Sequence, residues 1–542
     1  MAMVSAHRDS ATEHPRRRAL LGVGMTLVLI VALLALGVRA LSGVTLAGDP
    51  TALARVTVQP LGGTIERVRA YGPDGQRVPL RVDGGRLIPL QRLAPGERVS
   101  VDVEVRRPGW LGWALGSERK EQLTLRAPVA RVTERWMTVP SGAEVRVSFD
   151  RPVSAVSYGS STGGLTHHTL SSARSSISLG PQASTGAIEI AAASRPWETL
   201  GAPTQVSWFP PSRAPVMVSF PAAGARISPS TPIDLTFSKP VSEVLGSTRP
   251  RLSPSTPGRW RETNSHTLVF TPSGLGAALA SQVQVQLPRA VAVTTGGSGL
   301  RTTNQIEWTV PPGSTLRLQQ LLAEAGYLPV NWRAAAAVAH TPSAEAQAAV
   351  EPPSGSFTWR YPNTPHQLQA MWSPGQATVI TKGAVMKFEN ENGLTVDGVA
   401  GPTVWHLLLT NAIAGRRLSS GYSYVYVHRE VPEMMTLWHD GRTVITAPAN
   451  TGISGAETEL GTFPVFEHLP ETTMSGTNPD GSHYADPGIK WVSYFNGGDA
   501  LHNFNRASFG SPQSLGCVEL PLAASAEIWP YTPIGTLVTI ET

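Results

Sequence analysis

Ile489–Trp529 reads IKWVSYFNGGDALHNFNRASFGSPQSLGCVELPLAASAEIW, and the order of its residues decides how the whole chain is read. It holds the only cysteine of the 542 residues, Cys517, in the run Ser514-Leu515-Gly516-Cys517. His502 lies fifteen residues before that thiol, and no histidine follows it. A free thiol with a pKa of about 8.5 is mostly protonated at neutral pH, so a cysteine nucleophile needs a neighbouring base or cation. His502 supplies one if two adjacent strands bring it alongside. Gly516 lets the backbone bend so that successive N–H groups aim at one spot, as an oxyanion hole requires. The plainer alternative is a buried structural cysteine, since free cysteines are among the most buried residues. A lone thiol with glycine before it and histidine upstream favours the nucleophile.

Chain order excludes several rivals. Papain-like peptidases place the nucleophile before the histidine. Sortases place histidine first, but far earlier, and use an arginine soon after the cysteine; none follows Cys517. His483 and Asp486 are close in sequence, yet no third ligand accompanies them, so no metal is expected. Nothing in the chain calls for a cofactor.

Residues 420–542 resemble the L,D-transpeptidase family, whose motif is a histidine, a gap, then Ser/Thr-His-Gly-Cys. NTGISGAETELGTF (450–463) is similar to the family's Thr-Gly and Thr-Pro-x-Gly-x-Phe strand pair, with Gly452, Thr458, Gly461 and Phe463 in place. The resemblance implies Cys517 as nucleophile and His502 as its base. It further implies that the carbonyl near Asn503 orients the imidazole, that the N–H groups of Gly516 and Cys517 hold the oxyanion, and that Ser514 lines the acceptor side. Tyr494 and Met474 are candidate pocket or flap residues. The chain departs from the pattern at Leu515, where the family has histidine, and at Glu519, where it has arginine or asparagine. Asn503 replaces the small residue after the base, and Glu459 replaces the proline after Thr458.

The implied reaction is acyl transfer through a thioester. Cys517 attacks the carbonyl of an L-centre bonded to D-alanine in a peptidoglycan stem, and an amine then takes the acyl group. Water in place of the amine gives an L,D-carboxypeptidase. A protein amine as acceptor, or a catalytically weakened wall-binding scaffold, are the other readings.

Upstream of this region, STLRLQQLLAEAGYLP and KGAVMKFENENGLTVDGVAGPTVWHLLL read as helices around turns. They resemble the halves of the small helical peptidoglycan-binding domain, with Phe388, Gly393, Leu394, Asp397, Gly398, Gly401 and Thr403 matching its signature. An insertion containing EPPSGSFTWRYPNTPH separates the halves. Which residues would bind glycan is not legible.

Further upstream, VSFDRPVSAV (147–156) repeats as LTFSKPVSEV (235–244), and QVSWF (205–209) as QIEWT (305–309). Each unit is expected to open on a strand ending in a Phe-x-Arg/Lys-Pro-Val turn and to close on a tryptophan-bearing strand, as in tandem β-sandwiches. The second resembles bacterial Ig-like domains, and the first does so more loosely. ERVSVDVEV puts Val99, Val101, Val103 and Val105 on one face of a strand.

Residues 19–38 carry no charge, which is long enough to span a bilayer, and Arg16, Arg17 and Arg18 precede them. An uncleaved single-pass anchor is expected, with everything after it outside a bacterial membrane. A cleaved signal peptide is the rival. The preponderance of arginine over lysine suggests a GC-rich genome.

Gly 52 and Pro 46 disfavour a long helical bundle and suit β-domains rich in turns. Residues 420–542 hold four basic and thirteen acidic residues, so the basic balance belongs to the rest of the chain. No basic stripe interleaved with aromatics marks a nucleic-acid binder. The expected fold is therefore mainly β: a basic tail (1–18), an anchor (19–41), a β-rich domain (48–128), Ig-like sandwiches (129–212 and 213–311), a helical peptidoglycan-binding-like domain (313–415) and a β-rich catalytic domain (420–542). Peptidoglycan stem peptides and glycan are the expected partners.

Overall fold

The computed structural model describes residues 16–159, 164–182, 184–288, 291–294, 300–301, 304–337 and 339–542. Two compact units divide the chain after residue 211.

In the first unit a helix runs Arg16–Leu41, where the anchor is expected. Residues 1–15, most of the expected basic tail, lie outside the described residues, as do the side chains through residue 28. Among the described residues no helix is long and apolar enough to cross a membrane. Beyond the helix, the strands Val44–Gly48, Ala54–Val58, Arg86–Pro89 and Leu80–Asp83 form one sheet, and Thr64–Tyr71, Arg98–Arg106 and Glu118–Arg126 another. Val99, Val101, Val103 and Val105 are all buried, as the alternation predicts, against Val44, Ala54, Val56 and Leu87 of the facing sheet. Gly84 and Gly85, at φ 53° and 79°, make the two-residue turn between Asp83 and Arg86 that a right-twisted hairpin favours.

Over 129–212 the described strands form a single five-stranded sheet, not two hydrogen-bonded layers. Its strands Glu144–Gly159 and Thr166–Pro181 are sixteen residues each, and register shifts interrupt their pairing. The repeat also diverges in shape. The first copy runs straight through Arg151-Pro152 as strand, with Val153 and Val156 buried. The second stops at Phe237 and turns into the short helix Val241–Val244. Both tryptophan-bearing segments are strands, Thr204–Phe209 and Gln305–Val310.

In the second unit, residues 213–311 form two sheets whose inner faces share a core around fully buried Trp308. Its indole N–H donates to Pro221 O at 3.0 Å. Helices α1 (Thr315–Glu324), α2 (Pro342–Val350), α3 (His366–Ala370), α4 (Val379–Glu391) and α5 (Pro402–Ala414) follow. Ser314 caps α1 by accepting Arg317 N–H, and Gly415 at φ 64° closes α5 in the left-handed conformation. The signature residues shape the turn between α4 and α5: Phe388 packs on Tyr327, and the N–H groups of Asp397 and Gly398 donate to Glu389 Oε2 at 3.0 and 2.8 Å.

The catalytic-domain strands are β1 (Ser423–His428), β2 (Met434–His439), β3 (Arg442–Pro448), β4 (Gly461–Pro464), β5 (Glu467–Thr477), β6 (His483–Asn496), β7 (Asp499–Asn503), β8 (Val518–Leu520) and β9 (Leu537–Glu541), with helix α6 (Leu522–Ile528). One sheet has the order β3-β2-β1-β9-β4 and the other β5-β6-β7-β8. Val425, Leu437 and Val538 of the first meet Leu501, Val518 and Leu520 of the second in one core.

The boundaries drawn at 311 and 415 do not divide the packing. A continuous apolar core runs from Met217 through Trp308, Phe388 and Trp405 to Tyr424 and Leu537. The insertion reaches the catalytic sheet directly: Tyr361 hydroxyl donates to Asp440, Asn363 to Gly441 O, and Gln367 Nε2 to Glu541 Oε1 at 2.9 Å. At the same seam Gly383 and Gly535 meet backbone to backbone, so a side-chain carbon on Gly383 would fall 2.6 Å from Gly535 O.

Candidate active site

Parallel pairing of β7 and β8 sets the geometry. Leu501 is level with Val518, His502 with Glu519 and Asn503 with Leu520. Residues level across a ladder share a face and alternate along the strand, so His502 and Glu519 project to one side together with Cys517, two residues before Glu519. Leu501, Val518 and Leu520 project to the other side, into the core. The alternation that buries the leucines thus delivers His502 and the thiol to one face.

That face floors a cavity of about 560 Å³ lined by His502, Cys517, Ser514, Leu515, Glu519, Arg506, Asp499, Tyr494, Tyr484 and Met474, among others. Tyr494 and Met474 stand on β6 and β5, the two strands of a long hairpin that forms one wall. Tyr494 stacks on Phe466 with ring centres 6.3 Å apart.

His502 is buried, and its Nδ1 lies 2.9 Å from Asn503 O. A carbonyl only accepts, so Nδ1 carries the proton and Nε2 is the free base of the neutral ring. Burial pushes this imidazole below its ordinary value, and the Asn503 carbonyl and Glu519 only partly offset it. The Asn503 side chain faces away from the cavity, against Leu520 O and the start of α6. Of Asn503, only the backbone carbonyl serves the site.

Cys517 is half-buried, with Sγ 3.6 Å from Gly498 O. Its thiol is pushed up to about 12, mainly by burial and further by the carboxylates of Asp499 and Glu519. At rest the site therefore pairs a neutral thiol with a neutral imidazole.

The Ser514–Cys517 loop is tied from below. Ser514 is buried; its hydroxyl donates to Cys517 O at 2.5 Å and accepts Gly516 N–H at 3.3 Å. The Gly516 donor expected for an oxyanion is thus turned to Ser514 in the resting loop, because the serine lies beneath it. Ser514 N donates to Thr451 O, and Ile453 N to Ser514 O. Thr451 is in turn held by buried Glu433 through contacts of 2.6 Å from its N–H and its hydroxyl. Gly452 N donates to Thr458 Oγ1 at 2.9 Å, so these two matched positions brace the loop under the cysteine.

Sequence reading missed two charged residues. Arg506 grips Glu519 with both prongs, Nε to Oε2 at 2.8 Å and Nη2 to Oε1 at 2.7 Å, and its guanidinium lies 4.5 Å from the Phe504 ring centre. A cation thus reaches this wall of the cavity from the loop after β7. Asp499 lies against Gly516: at φ 115° a side-chain carbon there would fall 2.2 Å from Asp499 Oδ1. Burial, and then Glu459, raise the Asp499 carboxyl to about 6. The only signal for Asp499 was the Asn-Gly-Gly-Asp turn that opens β7.

Residues 422–540 match the YkuD family model, the L,D-transpeptidase catalytic domain. Solved structures similar to the chain include an L,D-transpeptidase from Mycobacterium smegmatis, at 12% identity over 60% of this chain and 99% of that one, TM-score 0.20. Others are L,D-transpeptidase 3 from Mycobacterium tuberculosis with a faropenem-derived adduct (11%, 60% and 98%, TM-score 0.21) and the catalytic domain of the E. faecium enzyme (24%, 22% and 95%, TM-score 0.20). No curated protein matches the chain. The C-terminal part of the chain, residues 422–540, is an L,D-transpeptidase catalytic domain.

Proposed function

We propose that this domain cross-links peptidoglycan by acyl transfer through Cys517. The observation that carries the reading is the placement of His502 and Cys517 on one face of β7–β8, with the imidazole proton fixed on Nδ1 by Asn503 O. Nε2 of His502 takes the thiol proton as Sγ bonds to the carbonyl carbon of the L-centre. The C–N bond to D-alanine then breaks, and the imidazolium returns its proton to the departing amine. An amine of a neighbouring stem displaces the thioester sulfur to complete the cross-link. Because Asp499 and Glu519 oppose a standing thiolate, proton transfer accompanies attack and does not precede it. Leu515 offers an apolar wall where the family places an imidazole. The N-terminal helix is read as the anchor that holds the domains in the cell envelope, supported by the uncharged stretch 19–38. Glycan contact by the helical domain belongs to the same proposal.

A second reading has its own support. The raised thiol and the engaged Gly516 N–H suit a slow site, either one that passes the acyl group to water or a wall-binding scaffold. Intact-protein mass after incubation with a carbapenem, beside Cys517→Ala, decides between them. One adduct, lost in Cys517→Ala, supports the enzyme; no adduct on the unaltered chain supports the scaffold. Stem-peptide substrates then separate transfer from hydrolysis.

A further inference from the structure

The hairpin Arg98–Arg106/Glu118–Arg126 ends in a tip that neither the catalytic reading nor the core explains. Its ladder closes at Arg106 and Glu118, and residues 107–117 form the tip, with a short helix over Gly109–Leu115. Leu111 turns inward and is buried. Trp110, Trp113 and Leu115 point outward, Trp113 with 87% of its surface exposed. Arg107 holds the tip in shape by donating Nη1 to Leu115 O and to Gly116 O. Two bare indoles on a self-tied tip are a contact surface waiting for a cover.

Where the tip stands indicates the cover. Leu61 N donates to Leu41 O and Gln59 N to Gly43 O, both at 2.9 Å, so the end of the N-terminal helix is stitched to the 59–63 turn. Gly63 of that turn abuts Arg106 and Arg107: at φ 104° a side-chain carbon there would fall 2.0 Å from Arg106 O. The helix exit and the root of the tryptophan tip therefore share one end of the domain. The described part of that helix is itself uncovered, with Leu29, Leu33, Leu34 and Leu36 each about 60% exposed. Two apolar surfaces, a helix and an aromatic tip, thus leave the domain from the same end. The charges at the tip's root are of both signs, with Arg106 on Glu66 and Lys120 on Glu104, so apolar and aromatic contact leads over net charge. Tryptophan is the residue that favours the boundary between headgroups and acyl chains.

We propose that residues 107–117 rest in the lipid–water interface beside the exit of the N-terminal helix, with Trp110 and Trp113 among the headgroups. The tip then fixes how the first domain stands on the membrane. The inference extends the anchor reading of that helix, and its test keeps the two apart.

The experiment uses the full chain with its one cysteine removed by Cys517→Ser, and an environment-sensitive NBD dye on a new cysteine. Trp113→Cys reports the tip, Leu33→Cys the helix and Asp74→Cys the exposed turn at the opposite end of the same sheet. These three side chains are exposed, so the changes do not reach the core. Each chain is reconstituted in phosphatidylethanolamine–phosphatidylglycerol vesicles with plain or brominated acyl chains. The expected result is about twofold quenching by brominated lipid at 113, and none at 74. Quenching at 33 with none at 113 overturns the tip proposal and leaves the anchor standing. Absence at both positions overturns both. Quenching at 113 alone supports a tip that docks without a span. A blue-shifted but unquenched dye at 113 means that protein, such as a second copy, covers the tip, and overturns the proposal.

Discussion

The chain uses the pairing of an arginine with a glutamate in two places, with opposite consequences. In the helical domain Arg317 and Glu345 are both sealed, at 0% exposure, with Nη2 2.6 Å from Oε2. Gln320, Glu324 and His340 belong to that network, which joins α1 to α2. In the catalytic domain Arg506 and Glu519 meet at 2.7 Å, but the arginine keeps 30% of its side chain exposed and both line the cavity. A sealed pair organises helices, and breaking it strands a charge in the core. A pair at a cavity wall sets the field in which a thiol must ionise. The same chemistry thus joins helices in one region and, on the proposed function, tunes a thiol in the other.

The sharpest way to break this contrast is Arg317→Met. It leaves buried Glu345 with only the half-exposed imidazole of His340 beside it and should cost about 3–5 kcal/mol of stability in denaturant unfolding. The carbapenem acylation rate of the molecules that remain folded should not change. A loss under about 1 kcal/mol would mean the network is not what joins α1 to α2. Arg506→Met should do the reverse. Glu519, no longer neutralised, adds repulsion to a developing thiolate, and acylation should slow about tenfold, the effect of one pKa unit. The double variant Arg506→Met/Glu519→Met should recover most of that rate, and failure to recover it would assign the loss to altered packing.

Asp499→Asn is a milder change with two readouts. Removing a carboxylate beside Cys517 lowers the thiol's pKa, so alkylation by iodoacetamide at fixed pH should quicken about threefold, half a pKa unit. Stability should change as well. Asp499 in the folded chain holds its proton up to about 6, above the ordinary 3.8, so ionisation costs the folded state more than the unfolded one. The cost is absent below 3.8 and complete above about 6. Above that window Asp499→Asn should be the more stable chain, by about 1 kcal/mol once solvent screening at the half-open site is included. An equal difference at pH 3 and pH 7 would contradict this. The smallest effect concerns His502: burial lowers it, so the acid limb of the acylation rate should fall below pH 6.5, its ordinary value. A limb above 6.5 would mean the imidazole is held charged.

Much of the site was legible because strands alternate. Order and spacing single out His502 and Cys517, and the structure sets both at one cavity; Tyr494 and Met474, candidates with no strand assigned to them in the sequence, line the same cavity from β6 and β5. The valines from Val99 to Val105 were equally plain. Arg506 and Asp499 were not, since their approach to the thiol depends on the parallel pairing of β7 and β8 across a long loop. Ser514 was given to the cavity, whereas its chief contacts hold the backbone of Cys517. The two copies of the repeat differ for a local reason: proline after Arg151 is tolerated within a strand that Val153 and Val156 pin to the core, while the matching Lys239-Pro240 starts a helical turn. The insertion in the helical domain looked like an interruption. Its Tyr361, Asn363 and Gln367 instead clasp the catalytic sheet, an arrangement that only long-range contacts reveal.

That clasp, with Gly383 and Gly535 touching backbone to backbone, decides where the protein can be cut. A fragment begun at residue 420 would keep β1 to β9, yet bare Tyr424, Trp438 and Leu537, which now belong to a core reaching back to Trp308. Such a fragment inherits an oily flank and should melt earlier and clump. In a calorimeter the piece from 212 onward should lose its order as a single event. The workable unit for screening inhibitors is therefore the whole clasped piece and not the domain that carries the cysteine.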